Sequence, residues 1–158
     1  MADQNNRTAA VIAPPPLIYG AGLALGLLGD RMLALPRLFE ANAVAWCVVV
    51  VLALIGVVCI AAALGRFGAA GTPAEPWKPT RALAISGIYC WTRNPMYLGM
   101  ALLLLAAGVG FASLGVIALF PLVILVIDRM VIAREERYLV GLFGAEYTDY
   151  CARVRRWF

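Results

Sequence analysis

The chain has 158 residues, 63% of them hydrophobic and 14% charged, where a soluble domain carries roughly 25% charged residues. Its net charge of +4 comes from arginines that flank apolar runs, which argues against a separate basic face for nucleic acid. Histidine is absent, so imidazole catalysis and the commonest transition-metal ligand are excluded.

The composition predicts an all-α integral membrane protein of one domain spanning 1–158. No charged n-region precedes the first apolar run, so no cleavable signal is expected. Met1 to Ala13 reads as a short polar tail. Leu17 to Leu35 is the first span, about 19 residues against the ~20 needed to cross the hydrocarbon core. Asp30 and Arg31 place its last turn among headgroups, and Gly20, Gly22, Gly26 and Gly29 offer a small-residue face for helix packing. After a turn at Pro36 to Glu40, Ala41 to Leu64 forms the clearest span. Residues 17–64 are thus expected to pair as a helical hairpin.

Residues 65–94 form the long polar connection, with Pro73, Pro76 and Pro79 keeping it out of the hydrocarbon. It ends in Gly87 to Gly99, GIYCWTRNPMYLG. Asn94 is a good N-cap and Pro95 suits a first helical turn. A helix therefore starts at Pro95, with its free N–H groups and positive dipole end beside Arg93. That combination attracts anions.

Pro95 to Ile127 is apolar for 33 residues, too long for one span. Gly108, Gly110 and Ser113 predict a break, giving helices near 95–109 and 112–140, the second kinked at Pro121. It continues past the membrane through Arg129, Arg134, Glu135, Glu136 and Arg137. At seven residues' spacing, Asp128 and Glu135 share one face and Arg129 and Glu136 another. The two glutamates pair either with Arg134 and Arg137 in solvent or with a ligand. Beyond Gly144, the stripe of Tyr147, Tyr150, Cys151, Val154 and Phe158 predicts an amphipathic interfacial helix. The expected architecture is about four transmembrane helices plus this segment.

Eleven of the thirteen basic residues fall on the side shared by both termini and the 65–94 loop; only Arg31 and Arg37 fall on the other. The positive-inside rule makes the rich side cytoplasmic, in a bacterial inner (plasma) membrane. Cys47, Cys59, Cys90 and Cys151 contain no C-x-x-C pair, so neither a disulfide framework nor a metal is expected.

The segments GTPAEPWKP, SGIYCWTRNPMYLG and EERYLVGLFGAEYTDYCARVRRW resemble, in this order and spacing, the membrane methyltransferases of the isoprenylcysteine carboxyl methyltransferase and phospholipid methyltransferase type. The resemblance runs from about Gly71 to Trp157. Asn94 stands where many members have histidine, so it cannot do that residue's acid–base work. The resemblance implies S-adenosylmethionine as methyl donor and a lipophilic acceptor entering from the bilayer. Tyr89, Arg93, Asn94, Tyr97, Glu135 and Glu136 are the candidate cofactor-binding residues, with Arg93, Asn94 and Glu135 the catalytic ones. Arg93 and the Pro95 helix start suit the donor's carboxylate, and Glu135 or Glu136 its ammonium. Tyr89, Trp91 or Tyr97 suits the sulfonium or adenine. An anionic oxygen or sulfur acceptor needs no general base, whereas an amine must first lose a proton, which mildly favours the former. The competing readings are a structural subunit, a transporter and a reductase. The spans lack mid-bilayer charges and repeats, and no nucleotide fingerprint is present.

Overall fold

A computed structural model describes residues 13–40, 42–73 and 78–157 of the chain. The polar tail, Pro76, Trp77 and Phe158 fall outside the described residues. Among those described, the structure is all helix: α1 Pro15–Met32, α2 Ala43–Ala69, a 3-10 turn Gly87–Cys90, α3 Pro95–Gly110, α4 Leu114–Val126, a π turn Ile127–Ile132, α5 Ala133–Phe143 and α6 Ala145–Arg153. The α4, π and α5 segments form one helix of 30 residues.

α2 starts where Asn42 accepts a hydrogen bond from the Ala45 N–H at 2.9 Å. It ends at Ala69 rather than Leu64. Gly65 and Gly68 each cost a helix only about 1 kcal/mol, and no proline stops it before Pro73. α2 packs along α3, and α1 along α4 with a smaller contact to α3. The arms of the expected 17–64 hairpin therefore pack on the C-terminal half of the chain instead of on each other.

Glycine makes both pairings possible. A Cβ on Gly56 would lie 2.8 Å from the Gly99 carbonyl oxygen, and one on Gly99 would lie 2.6 Å from that of Gly56. Of the proposed small-residue face on α1, Gly22 and Gly26 meet Val123 and Val116 of α4, whereas Gly20 and Gly29 face open space.

Between α3 and α4 the chain turns at Phe111–Ser113, with Ala112 left-handed (φ 48°). The two glycines expected to break the helix stay inside α3. Asp30 secures this end: its carboxylate accepts from the Ser113 hydroxyl and from the Gly115 N–H at 2.7 Å. A carboxylate on a helix N-terminus is electrostatically favourable. Asp30 is thus a paired end, not a solvated one.

α2 and the helix Leu114–Phe143 are long and apolar enough to cross a membrane, and only 11% of the most apolar stretch of α2 is buried. Val44, Val51, Leu54 and Val58 lie on its exposed surface. An apolar surface of this extent marks contact with a membrane or a partner protein. α3 is shorter, at 16 residues. The charged α5 extends past the apolar part of its helix.

Two clusters lie inside. Tyr19, Tyr97, Leu104, Val116, Ile127 and Ile132 fill the bundle. Ala63, Tyr89, Tyr147 and Tyr150 form the second, with Phe67, Ile88, Met96 and Leu139 against it. The second cluster corrects the reading of the C-terminal stripe. The apolar side of α6 is buried on the protein, with Tyr147 and Tyr150 each 4% exposed, so it is not available to rest on a bilayer.

Candidate functional site

The second cluster surrounds an open cavity where the end of α2, the start of α3, α5 and α6 converge. Leu83 and Ala84 of the connecting loop also line it. The loop is held by the Thr80 N–H donating to the Tyr138 hydroxyl at 3.1 Å and the Arg81 N–H donating to Thr72 Oγ1 at 2.9 Å.

The 3-10 turn shapes one wall. Gly87 has φ 64°, a backbone conformation that calls for glycine, and the Arg66 side chain lies against it. The turn buries Tyr89, whose carbonyl accepts from the Tyr150 hydroxyl at 2.7 Å. Burial raises the Tyr89 and Tyr150 pKa values far above the usual phenol range, so both remain neutral donors. Trp91 points away, 83% exposed, and is no candidate for a sulfonium or adenine contact.

α3 starts at Pro95 as expected, but Asn94 does not cap it with its side chain. Its Nδ2 donates instead to the Arg156 carbonyl at 2.9 Å. The Asn94 side chain is thereby committed to holding the segment after α6.

Arg93 and the two glutamates all line the cavity, with distinct partners. Glu136 pairs with Arg93 at 3.2 Å and with Arg156. Arg156 also reaches Asp128 at 3.0 Å, and the Trp157 indole N–H donates to Asp128 at 3.0 Å. Arg93 Nη1 also contacts the Cys151 sulfur. Glu135 accepts a hydrogen bond from the Tyr97 hydroxyl. Burial pushes its carboxyl up to about 7, with the Tyr97 bond partly opposing and the Glu136 charge adding to the rise. Neither glutamate uses the pairing with Arg134 and Arg137 on a solvated face as its anchor.

The π turn explains why the seven-residue spacing misled. A π turn places an extra residue in the helix and shifts the faces below it. Asp128 and Glu136, eight apart, converge on Arg156. Arg129 points outward, its side chain 74% exposed. Asp128 is spent on Arg156 and Trp157 and does not line the cavity.

Two groups in this cavity lack compensation. Arg93 Nε is buried with no hydrogen-bond partner, which carries a desolvation cost unless an acceptor arrives. Glu135 is a carboxyl raised to about 7 by burial, with no ion pair of its own among the described residues. A guanidinium and a carboxyl raised by burial in the lining of one cavity fit a zwitterionic amino-acid group. Among the described residues, no group of three or more His, Cys, Asp and Glu is placed to hold a metal ion.

Comparison with known proteins adds the family. The sequence model of the phospholipid methyltransferase family matches residues 44–146, well over half the chain, from the first turn of α2 through α5. The chain belongs to the phospholipid methyltransferase family. The match contains Tyr89, Arg93, Asn94, Tyr97, Glu135 and Glu136, while Arg156 lies beyond it. A Haemophilus influenzae protein described only as uncharacterized is 50% identical over 66 residues, 39% of this chain and 98% of that protein. No solved structure matches. Family membership points to methyl transfer onto a lipid-like acceptor, and together with the two long apolar helices it marks a membrane-associated protein.

The sequence reading missed Arg156, Tyr138, Tyr147 and Tyr150 as site residues. The two tyrosines of α6 had a signal, their helical spacing, that was read as a lipid-facing stripe. Arg156 sat in an Arg-rich tail with nothing in its neighbours to separate it from the others.

Proposed function

We propose that the protein transfers a methyl group from S-adenosylmethionine to a lipophilic acceptor at the cytoplasmic face of a bacterial inner membrane. The observation that carries this reading is that Arg93 and Glu135 line one cavity, with the Glu135 carboxyl raised to about 7 by burial. In this reading Arg93 holds the donor's carboxylate and Glu135 its ammonium. Glu136 already has two arginines and serves to orient Arg93. Tyr89 and Tyr97 form the walls, and Asn94 fixes the corner. Bound there, S-adenosylmethionine supplies a methyl group activated by a sulfonium.

The chain's own work is placement and dehydration. In-line displacement at carbon gains most from holding two reactants in register and excluding water. Phe67, Met96, Leu139 and the tyrosines around the cavity provide that dry wall. An anionic acceptor needs no proton removed. An amine headgroup must first lose its proton, and Glu135 is committed in this reading to the donor's ammonium. Carboxylate, thiolate and lipid headgroup remain within the proposal.

The proposed topology has four membrane crossings, α1 through the helix beginning at α4, with both termini and the cavity cytoplasmic. The end of α2, the start of α3 and α5–α6 share one end of the bundle, as that topology requires. Calorimetry with S-adenosylmethionine, in detergent and in lipid nanodiscs, tests the reading. One-to-one binding is expected, and no binding in either medium would remove the enzyme reading.

A further inference from the structure

Residues 154–157 follow α6, with Val154 extended at φ −123° and ψ 132°, and run back across the Arg93–Asn94 corner. The strap is anchored three times there. The Arg93 N–H donates to the Arg155 carbonyl at 3.0 Å. The Arg156 carbonyl accepts from Thr92 Oγ1 at 3.1 Å and from Asn94 Nδ2 at 2.9 Å. Trp157 then packs against the bundle core.

The Arg156 side chain does a separate job. Its guanidinium bridges Asp128 and Glu136, which only the π turn brings to one point. Asp128 and Glu136 are 19% and 16% exposed, so neither carboxylate is cheaply left unpaired. Four charges of alternating sign result: Asp128, Arg156, Glu136 and Arg93. Without Arg156, Glu136 would draw on Arg93 alone, and the guanidinium would turn fully onto it.

We propose that Arg156 is a positioning residue of the donor site. By taking one side of Glu136, it keeps Arg93 turned so that part of its guanidinium stays available to a ligand carboxylate. Arg156 does not line the cavity, so its effect passes through Glu136 and Arg93, and the strap it belongs to closes the site. The inference rests on the methyl-donor reading of that cavity.

The test compares Arg156→Met and Arg156→Lys with wild type in nanodiscs, well below their melting temperatures. S-adenosylmethionine is the binding probe, and mass spectrometry reads the alkylation rate of Cys151, which contacts Arg93. Arg156→Met is expected to weaken donor binding about tenfold or more, the loss of a charge-assisted bond, and to speed Cys151 alkylation. Arg156→Lys keeps the charge without the two-sided fork and should recover part of the affinity. Donor affinity within about twofold of wild type in Arg156→Met would overturn the assignment. If that variant does not fold, Arg156→Lys decides alone: wild-type affinity with wild-type Cys151 protection overturns the assignment, and weaker binding by a folded protein supports it. A wild type that binds no donor overturns the donor reading and this assignment with it. A wild type that binds, alongside an unaffected variant, overturns the assignment only.

Discussion

The Tyr97 hydroxyl, on the first turns of α3, donates to the Glu135 carboxylate on α5, 38 residues away in sequence. The Tyr97 carbonyl accepts in turn from the Tyr19 hydroxyl of α1 at 2.9 Å. Three helices are thereby tied at the level of the cavity, and the carboxyl that lacks a cation is held in place by a neutral donor. A hydroxyl bond orients the carboxylate without neutralising it, so the site keeps its demand for positive charge.

Donor binding should therefore depend on pH through Glu135. Its carboxyl titrates near 7, and the proposed ammonium partner needs it charged. Affinity should rise with pH through this region, with a limiting slope of about one decade per unit on the acid side. Glu135→Gln should flatten the profile and weaken binding. Tyr97→Phe removes the bond that lowers the Glu135 carboxyl, so the midpoint should move to higher pH. Calorimetry across pH 5.5 to 8.5 (roughly one unit or more on each side of the titration) reads all three. A midpoint that stays put in Tyr97→Phe would show that the titrating group is another residue.

The same carboxyl gives a stability prediction of definite sign. Its folded-state value of about 7 lies above the ordinary 4.5. Between these values the folded protein binds more protons than the unfolded chain, so stability falls as pH rises. The contribution is fully present below the ordinary value and is lost through about 7. The ligand-free melting temperature should decline over that interval, and Glu135→Gln should remove this part of the decline. Differential scanning calorimetry in nanodiscs checks it, and an equal decline in the variant would assign the effect elsewhere.

The cavity's composition was legible because its chemistry sits in two short, dense stretches, 87–99 and 135–150. The Pro95 helix start, the turn before α4 and the Gly144 stop followed from local backbone rules, and all three are present. What escaped the sequence was relational. The π turn changed which faces align, and no composition marks where a helix takes an extra residue. Asn94 was read as a cap because its position allows one, but its side chain makes no cap bond and its Nδ2 donates to the strap's carbonyl. α6 has the same stripe whether it rests on lipid or on Tyr89 and Phe67, and only the tertiary fold decides between the two.

Topology can be tested with cysteines already present and two added ones. Cys90 is exposed and Cys151 partly buried, both at the end of the molecule that holds the cavity. Arg37 and Gly110 lie together at the other end. In sealed cells a membrane-impermeant thiol reagent should label Arg37→Cys or Gly110→Cys and leave Cys90 unlabelled until the membrane is opened. External labelling of Cys90 would invert the proposed orientation and place the cavity outside the cytoplasm.

Arg93 and Glu136 should separate binding from stability. Arg93→Ala removes the proposed carboxylate ligand, and loss of a charge-assisted bond of about 1.5–3 kcal/mol predicts a ten- to hundredfold fall in donor affinity. It also leaves Glu136 with Arg156, so that carboxylate keeps a partner and the fold should tolerate the change. Glu136→Gln acts in the opposite way. It strips Arg93 and Arg156 of a shared counter-charge in a partly buried network, and breaking such a pair by removing one partner costs several kcal/mol. Its melting temperature should therefore fall further than that of Arg93→Ala. Its donor affinity should fall less, because the Arg93 guanidinium remains available to the ligand. Glu135→Gln should lose donor affinity with little loss of stability, since the amide oxygen can still accept from Tyr97. Donor affinity and melting temperature measured together for the three variants place each on its own side of this division. If Glu136→Gln lost the most affinity and Glu135→Gln none, the roles of the two glutamates would be exchanged: the ammonium would sit against Glu136, and the Tyr97–Glu135 bond would be a strut between α3 and α5.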